Sequence, residues 1–204
     1  MSQLPRSLLQ VGLAFVLAVL LGADWRVGCL MAVTCVMVFP PAPWRPIGWP
    51  RVLASYGVWL LLWVAFAAAY LRVMVALGHR VEPQPQLLEL ATHGAGLPAF
   101  WLHVLVIVGV APLVEEIIFR GYLFAAVENT LPKWGAHLLV ASLFGLAHGL
   151  DHALPIAVLA LVFGYLRQRQ GSLLPSICAH ALHNGLTVAA IVCWPGLLDL
   201  LYAR

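Results

Sequence analysis

Two adjacent carboxylates and an arginine lie within an apolar stretch of the sequence, where each ionisable side chain is costly and therefore a candidate for function. The stretch is APLVEEIIFRG, residues 111–121. Glu116 and Arg120 are four residues apart, so on an α-helix they share a face and can form an ion pair. Glu115 points about 100° away and has no helical partner. The spacing favours Glu115 as a general base, and a solvated helix end is the alternative.

Two further motifs place histidines in apolar runs. His148 lies in FGLAHG, residues 144–149, while His180 and Asn184 lie in HALHN, residues 180–184. His180 and Asn184 are also four residues apart, so both can project into one cavity as hydrogen-bond donors. His183 lies on a neighbouring strip of the same helix, where helix packing is its expected role.

Together the three motifs contain the groups that peptide hydrolysis requires. Glu115 and His148 could hold and deprotonate a water molecule. His180 and Asn184 could stabilise the oxyanion of a tetrahedral intermediate. A serine or cysteine nucleophile has less support, because the sequence contains no GxSxG motif.

Zinc catalysis is the main chemical alternative to a glutamate mechanism. A zinc site could be built from a glutamate and histidines drawn from four positions, namely His148, His152, His180 and His183. However, the sequence contains no HExxH motif, and neither glutamate of the pair at 115–116 has a histidine within four residues. We therefore expect no cofactor, with zinc as the less favoured alternative.

The composition indicates that these groups lie inside a membrane. Of the 204 residues, 63% are hydrophobic and 9% are charged, against about 45–50% apolar and about 25% charged residues in soluble proteins. The mean hydropathy is +0.95. The formal net charge of +3 is scattered, which argues against nucleic acid as a partner. We expect one integral membrane domain over residues 1–204.

The apolar runs predict an all-α, polytopic transmembrane bundle of about seven helices. The predicted helices are 7–22, 27–39, 52–77, 99–128, 134–152, 154–169 and 172–193. The second run is short for a span, so residues 7–39 can instead form one bent element. Residues 78–98 are expected to be a polar loop, and Asp151 with His152 to be a turn. The motif-bearing half is about 99–193.

The basic residues predict the orientation of the bundle. Counting alternate connections assigns six Lys and Arg residues to one side and three to the other; the six are Arg6, Arg45, Arg51, Lys133, Arg167 and Arg169, and the three are Arg26, Arg80 and Arg204. The positive-inside rule then places the N-terminus in the cytoplasm.

The three motifs, in this order, resemble the signatures of the type II CAAX prenyl endopeptidases and their bacteriocin-processing or immunity relatives, the Abi or CPBP family of intramembrane proteases. The EExxxR, FxxxH and HxxxN/D signatures of that family correspond to residues 115–120, 144–148 and 180–184. The resemblance covers about residues 99–190. It implies an α-helical bundle and a glutamate-type site open to the membrane. It assigns water activation to Glu115 and His148, the oxyanion to His180 and Asn184, and support to Glu116 and Arg120.

The resulting prediction is an intramembrane endopeptidase that cleaves a membrane-anchored protein or peptide, for example in C-terminal processing or protein sorting. Because the chain is short, the resemblance points to a bacterial member in the inner membrane, with the lipid bilayer as its surroundings. One alternative is a non-proteolytic immunity or scaffolding protein of the same fold. Another is a small proton-coupled transporter, although no inverted repeat is evident in the sequence.

Overall fold

The computed structural model describes residues 48–92, 98–194 and 196–202, so the helices predicted at 7–22 and 27–39 lie outside the described residues. The described ranges form seven helices and contain no β-strand. We number them α1 (Trp49–Ala76), α2 (Pro85–Thr92), α3 (Pro98–Val127), α4 (Lys133–Leu146), α5 (Leu150–Gln170), α6 (Leu174–Cys193) and α7 (Leu197–Tyr202).

Four of these helices are long and apolar enough to cross a membrane, namely α1, α3, α5 and α6. The predicted all-α polytopic bundle is therefore confirmed, and the protein is an integral membrane protein. Helix α4 has 14 residues. It is therefore shorter than a complete membrane span, which needs about 20 residues. The helices predicted at 52–77, 99–128, 154–169 and 172–193 correspond to the four spans.

The single helix predicted at 134–152 is wrong, because the chain breaks between α4 and α5. Gly149 has a φ of 89°, a left-handed conformation that glycine adopts without steric cost and that ends the helical path. Asp151 and His152, predicted to form a turn, lie in the first turn of α5. An acidic residue is favoured there, because the helix N-terminus carries a partial positive charge.

The prediction that residues 78–98 form a polar loop is wrong in part, because this segment contains α2. This helix begins at Pro85, and proline suits the first position of a helix, where its missing N–H needs no partner. Histidine contacts tie the segment to the bundle: His79 Nε2 lies 2.9 Å from an Asp151 carboxylate oxygen, and His103 Nε2 lies 3.0 Å from Glu89.

A proline inside α5 joins that helix to α1. Pro155 has no N–H, so the carbonyl of Asp151, four residues earlier, lacks its usual helical donor. The Tyr70 hydroxyl of α1 donates to this carbonyl at 2.9 Å. One turn further along, Trp63 Nε1 donates to the carbonyl of Pro155 at 2.7 Å. The Tyr70 bond therefore offsets the cost of the internal proline, and both contacts align α1 with α5.

The core lies between α3, α4 and α5, and α4 approaches α5 most closely at Gly145. The core side chains include Ile118, Phe119, Val140 and Phe144, each at most 2% exposed. A β-carbon at Gly145 would collide with the carbonyl oxygen of Ala153 and would lie 2.9 Å from the backbone nitrogen of Ala157. Only glycine allows these two helices to pack at this separation.

We predict that Gly145→Ala lowers the melting temperature in detergent, because the added methyl group forces α4 away from α5, at a cost of about 1–3 kcal/mol for an overpacked core. The matched control is Gly57→Ala in α1, where a β-carbon meets nothing within 4 Å. That change should be neutral or stabilising by up to about 1 kcal/mol through helix propensity. Equal melting temperatures for the two variants would contradict this packing.

Candidate active site

A buried ion pair forms the base of the site. Arg120 Nη1 donates to Glu116 Oε1 at 2.9 Å, and the two side chains are 1% and 0% exposed. Arg120 Nη2 donates to the carbonyl oxygen of Ala160 at 2.9 Å. The ion pair predicted from the spacing is therefore present, and it links α3 to α5. Removing either charge would leave the other unpaired in the core.

Two aromatic rings enclose the guanidinium group and one of the histidines. The Arg120 Cζ atom lies 4.4 Å from the centroid of the Phe144 ring and 5.5 Å from that of Phe163. Phe163 also stacks on His180, with ring centroids 4.7 Å apart and an interplanar angle of 18°. Phe144 is the phenylalanine of the FxxxH motif, and its physical role here is to contact the Arg120 cation, since ring faces attract cations.

His180 is held by the same carboxylate that pairs with Arg120. Its Nδ1 atom lies 3.0 Å from Glu116 Oε1. An ionised carboxylate only accepts hydrogen bonds, so His180 Nδ1 carries a hydrogen and donates it. His180 Nε2, on the other side of the ring, faces Glu115 Oε2 at 3.8 Å. Glu116 thereby fixes both the ring orientation and the position of one hydrogen.

His148 is held in a comparable way by the backbone. It lies in the turn after α4, where its Nδ1 atom lies 2.8 Å from the carbonyl oxygen of Phe144. A carbonyl oxygen can only accept, so His148 Nδ1 also carries a hydrogen. Its Nε2 atom lies 3.8 Å from Glu115 Oε2. Both histidines therefore direct Nε2 at the same carboxylate oxygen.

Glu115 Oε2 is the point where the site converges. This oxygen is buried and makes no hydrogen bond within the described part of the chain. A separation of 3.8 Å from each histidine nitrogen is too long for a direct hydrogen bond. It is a gap that an oxygen atom of water or substrate can bridge. The side chains of Glu115 and His148 are 23% and 24% exposed, so this side of the site is accessible.

Asn184 is positioned by an irregular turn of α3. Residues 106–110 form a wide turn in which the N–H of Ala111 donates to the carbonyl of Val106, five residues earlier. In that register the next donor would serve Ile107, but the next residue is Pro112, which has no N–H. Asn184 Nδ2 donates to the free carbonyl of Ile107 at 2.9 Å. Since Nδ2 carries two hydrogens, the second is left for a substrate.

Two of the histidines considered as zinc ligands form their contacts away from Glu115. His183 Nδ1 lies 3.2 Å from the Tyr56 hydroxyl, and its ring packs edge-on against Trp63 at 4.6 Å. His152 Nε2 donates to the carbonyl oxygen of Glu82 at 3.0 Å, because a carbonyl oxygen only accepts. The described residues include no group of three or more metal-binding side chains placed to hold an ion. His148 and His180 remain beside Glu115.

Tyr56 and Phe163 were missed by the sequence analysis. Each is an aromatic residue in an apolar helix, and nothing in the local spacing distinguishes it from the other aromatic residues of the same helices. The only available signal is indirect: a buried histidine needs a partner, so a tyrosine elsewhere in an apolar helix is a candidate for that partner.

Comparison with known families agrees with this geometry. Residues 97–186 match the family model described as Rce1-like, type II CAAX prenyl endopeptidase Rce1-like. The matched segment is somewhat less than half of the chain, and it contains all three motifs. The resemblance predicted from the motifs is therefore confirmed over this segment. No match to a curated protein or to a solved structure was found.

We predict opposite effects on stability for the two adjacent glutamates. Glu116→Ala leaves Arg120 buried without a counter-charge, so it should lower the free energy of unfolding in detergent by an amount on the order of 3–5 kcal/mol at most. Glu115→Ala, the matched control, removes a partly exposed carboxylate that makes no direct hydrogen bond to either histidine and should be neutral or stabilising. Thermal unfolding of both purified variants tests this, and the reverse ranking would exchange the roles of the two residues.

Proposed function

We propose that the protein is an intramembrane endopeptidase whose Rce1-like segment, residues 97–186, is the catalytic unit. One observation carries this proposal: His148 Nε2 and His180 Nε2 both lie 3.8 Å from Glu115 Oε2, inside a bundle of apolar helices. A carboxylate flanked by two oriented imidazoles contains the acid and base groups that activate water for peptide hydrolysis.

In the first step, a water molecule binds between Glu115 and His148. Neutral His148 has its hydrogen on Nδ1, bonded to the Phe144 carbonyl, so Nε2 carries a lone pair that accepts a hydrogen bond from the water. Glu115 Oε2 accepts the second hydrogen bond that the water donates. One of these groups removes a proton as the water oxygen attacks the scissile carbonyl carbon, and the carbonyl oxygen becomes an oxyanion. The same proton is then transferred to the leaving amine nitrogen as the C–N bond breaks.

The oxyanion is stabilised by His180 and Asn184. Because His180 Nδ1 already donates to Glu116, only an imidazolium has a second hydrogen, on Nε2, to donate to the oxyanion. The second hydrogen of Asn184 Nδ2 is the other donor. With His180 charged, the site contains two carboxylates and two cations, the second being Arg120, so the buried charges balance. This charge balance supports His180 as the cationic donor and His148 as the neutral histidine that activates the water together with Glu115.

The apolar surroundings indicate the class of substrate. The site lies in helices long and apolar enough to cross the membrane, so a peptide bond can reach it from a membrane-anchored protein. Removal of a C-terminal membrane anchor, in protein processing or sorting, is the reaction that we propose. We propose a bacterial inner membrane, with the end of the bundle that carries Arg51, Lys133 and Arg169 in the cytoplasm. With two spans over residues 7–39, the N-terminus lies on the same side.

Zinc remains a competing mechanism because of how the histidines are held. Metal-binding histidines usually donate their other ring N–H to a carboxylate or a backbone carbonyl, as His180 and His148 do. In a zinc mechanism both Nε2 atoms would be ligands together with Glu115, which would require these side chains to move closer together than they are here. The glutamate mechanism needs Nε2 of His180 to carry a hydrogen, so the two mechanisms require different protonation of the same atom.

We predict that Glu115→Gln and His148→Ala each abolish cleavage while the protein still inserts and folds, because both residues activate the water. The assay is purified protein in liposomes with candidate membrane-anchored peptides, and mass spectrometry of the products locates the cut. Glu89→Gln is the matched control, since Glu89 pairs with His103 at an exposed position and its loss should leave turnover unchanged. Normal turnover in either site variant would remove the proposed mechanism.

A second prediction concerns the oxyanion donor on α6. Asn184→Ala should lower kcat by about 10²- to 10³-fold with little change in KM, because the lost hydrogen bond exists only in the transition state. As control, Tyr56→Phe removes the hydroxyl that contacts His183 and should stay within about tenfold of the parent turnover. An increase in KM alone in Asn184→Ala would instead indicate a role in substrate binding.

The third prediction separates the two mechanisms by metal removal. In the glutamate mechanism, dialysis against EDTA or phenanthroline leaves the turnover of the parent protein unchanged. In a zinc mechanism, the chelator releases the ion and activity returns when zinc is added. Inhibition by a chelator with recovery on zinc addition would assign His180 as a metal ligand.

A further inference from the structure

A second cavity lies on the side of the bundle, away from Glu115, between α1, α4 and α5. Its volume is about 520 Å³. The part of the lining nearer the middle of the helices is apolar, formed by Trp59, Leu138, Leu161 and Val162. Closer to the helix ends the lining becomes polar or amphipathic, with Ser55, Trp134, His137, Tyr165 and Gln168. The lining therefore changes from apolar to polar over the length of the cavity.

Three basic residues lie one helical turn beyond polar or amphipathic residues that line this cavity. Arg51 in α1 precedes Ser55 by four residues, Lys133 in α4 precedes His137 by four, and Arg169 in α5 follows Tyr165 by four. Residues four apart lie on the same helix face, one turn along. Each helix that lines the cavity therefore carries one positive charge beyond its polar lining residue.

The three helix ends lie together, and their charges are unbalanced. Gly48 N, before α1, donates to Gln170 Oε1 at the end of α5 at 3.0 Å, and His137 Nε2 of α4 lies 2.9 Å from Gln168 Oε1. Within the described ranges Arg51, Lys133 and Arg169 are exposed and form no ion pair. Arg167, in contrast, pairs with Glu128 at 2.8 Å.

We propose that this cavity binds an anionic phospholipid. Its phosphate would lie among Arg51, Lys133 and Arg169, and its acyl chain along Trp59, Leu138 and Leu161. Basic pockets between membrane helices are suited to anionic headgroups, and interfacial tryptophan and tyrosine side chains lie at the level of lipid headgroups. The helical rise from Arg51 to Trp59 is about 12 Å, which is enough for a headgroup and the first part of an acyl chain.

Charge favours this ligand over two other occupants. Residues 1–47 contain three arginines and one aspartate, so that segment is itself basic and does not complement the three charges. A second copy of the chain would share the orientation of the first in the membrane and would present the same basic end. An anionic lipid supplies both the negative charge and the apolar tail.

The test measures lipid preference with the purified, delipidated full chain in neutral detergent. Native mass spectrometry and melting temperature are followed as phosphatidylglycerol or phosphatidylcholine is added. The parent protein should retain phosphatidylglycerol preferentially and gain thermal stability from it. The double variant Arg51→Gln with Arg169→Gln should bind phosphatidylglycerol about 30-fold more weakly, since each basic residue contributes about fivefold.

The matched control is the double variant Arg72→Gln with Arg80→Gln, which removes two charges of the same kind, one in the last turns of α1 and one in the connection that follows it. Its preference for phosphatidylglycerol should be unchanged. Ser55→Trp fills the cavity without altering charge and should also reduce retention of phosphatidylglycerol. If the double variant Arg51→Gln with Arg169→Gln has a lower melting temperature than the parent in phosphatidylcholine, the single variant Lys133→Gln is measured in its place. It should bind phosphatidylglycerol about fivefold more weakly than the parent.

Three results would overturn the proposal. The first is equal retention of phosphatidylglycerol by the parent and the cavity variants. The second is equal stabilisation by soluble glycerol phosphate, which would indicate a phosphate site without a role for the acyl chain. The third is a photo-crosslinker at Leu138 that, in liposomes containing phosphatidylglycerol, captures residues 1–47 or a second copy of the chain in place of lipid.

Discussion

The burial of two opposite charges in an apolar helical bundle is the constraint on which the rest of the site depends. Glu116 and Arg120 are almost completely buried, so each must satisfy its hydrogen-bonding groups inside the protein. Arg120 does so with Glu116 and with the Ala160 carbonyl of α5. Glu116 does so through Oε1, which accepts from Arg120 and from His180 of α6. One ion pair therefore joins three helices and fixes the position of His180 relative to Glu115.

The same constraint distinguishes two histidines that otherwise resemble each other. His180 donates to a carboxylate, whereas His148 donates to a backbone carbonyl. A neighbouring negative charge stabilises an imidazolium, and a neutral carbonyl does so less. The hydrogen-bond partner of Nδ1 in each ring therefore explains why we assign the oxyanion to His180 and water activation to His148. The aromatic rings of Phe144 and Phe163 further restrict His180 and Arg120 to one arrangement.

The sequence predicted the parts of this site that depend on local spacing. The pair at Glu116 and Arg120 follows from four-residue separation, and the four spans follow from hydropathy. Backbone irregularities were missed, because hydropathy does not register the positive φ of Gly149 or the effect of Pro112 on the Ile107 carbonyl. The proximity of Glu115 to both histidines depends on helix packing. In the sequence, only the presence and order of the family motifs predicted that proximity. Tyr56 and Phe163 had no local signal.

The position of the hydrogens on His180 tests the central assignment most directly. Nitrogen-15 NMR of ring-labelled protein in micelles, with the His180 signals identified by their loss in His180→Ala, reports the protonation of each ring nitrogen. Nδ1 should carry a hydrogen in the parent protein at neutral pH, with Nε2 also protonated, and Glu116→Ala should remove the second hydrogen. A His180 with its only hydrogen on Nε2, and a bare Nδ1 facing Glu116, would contradict the proposed role of the buried carboxylate.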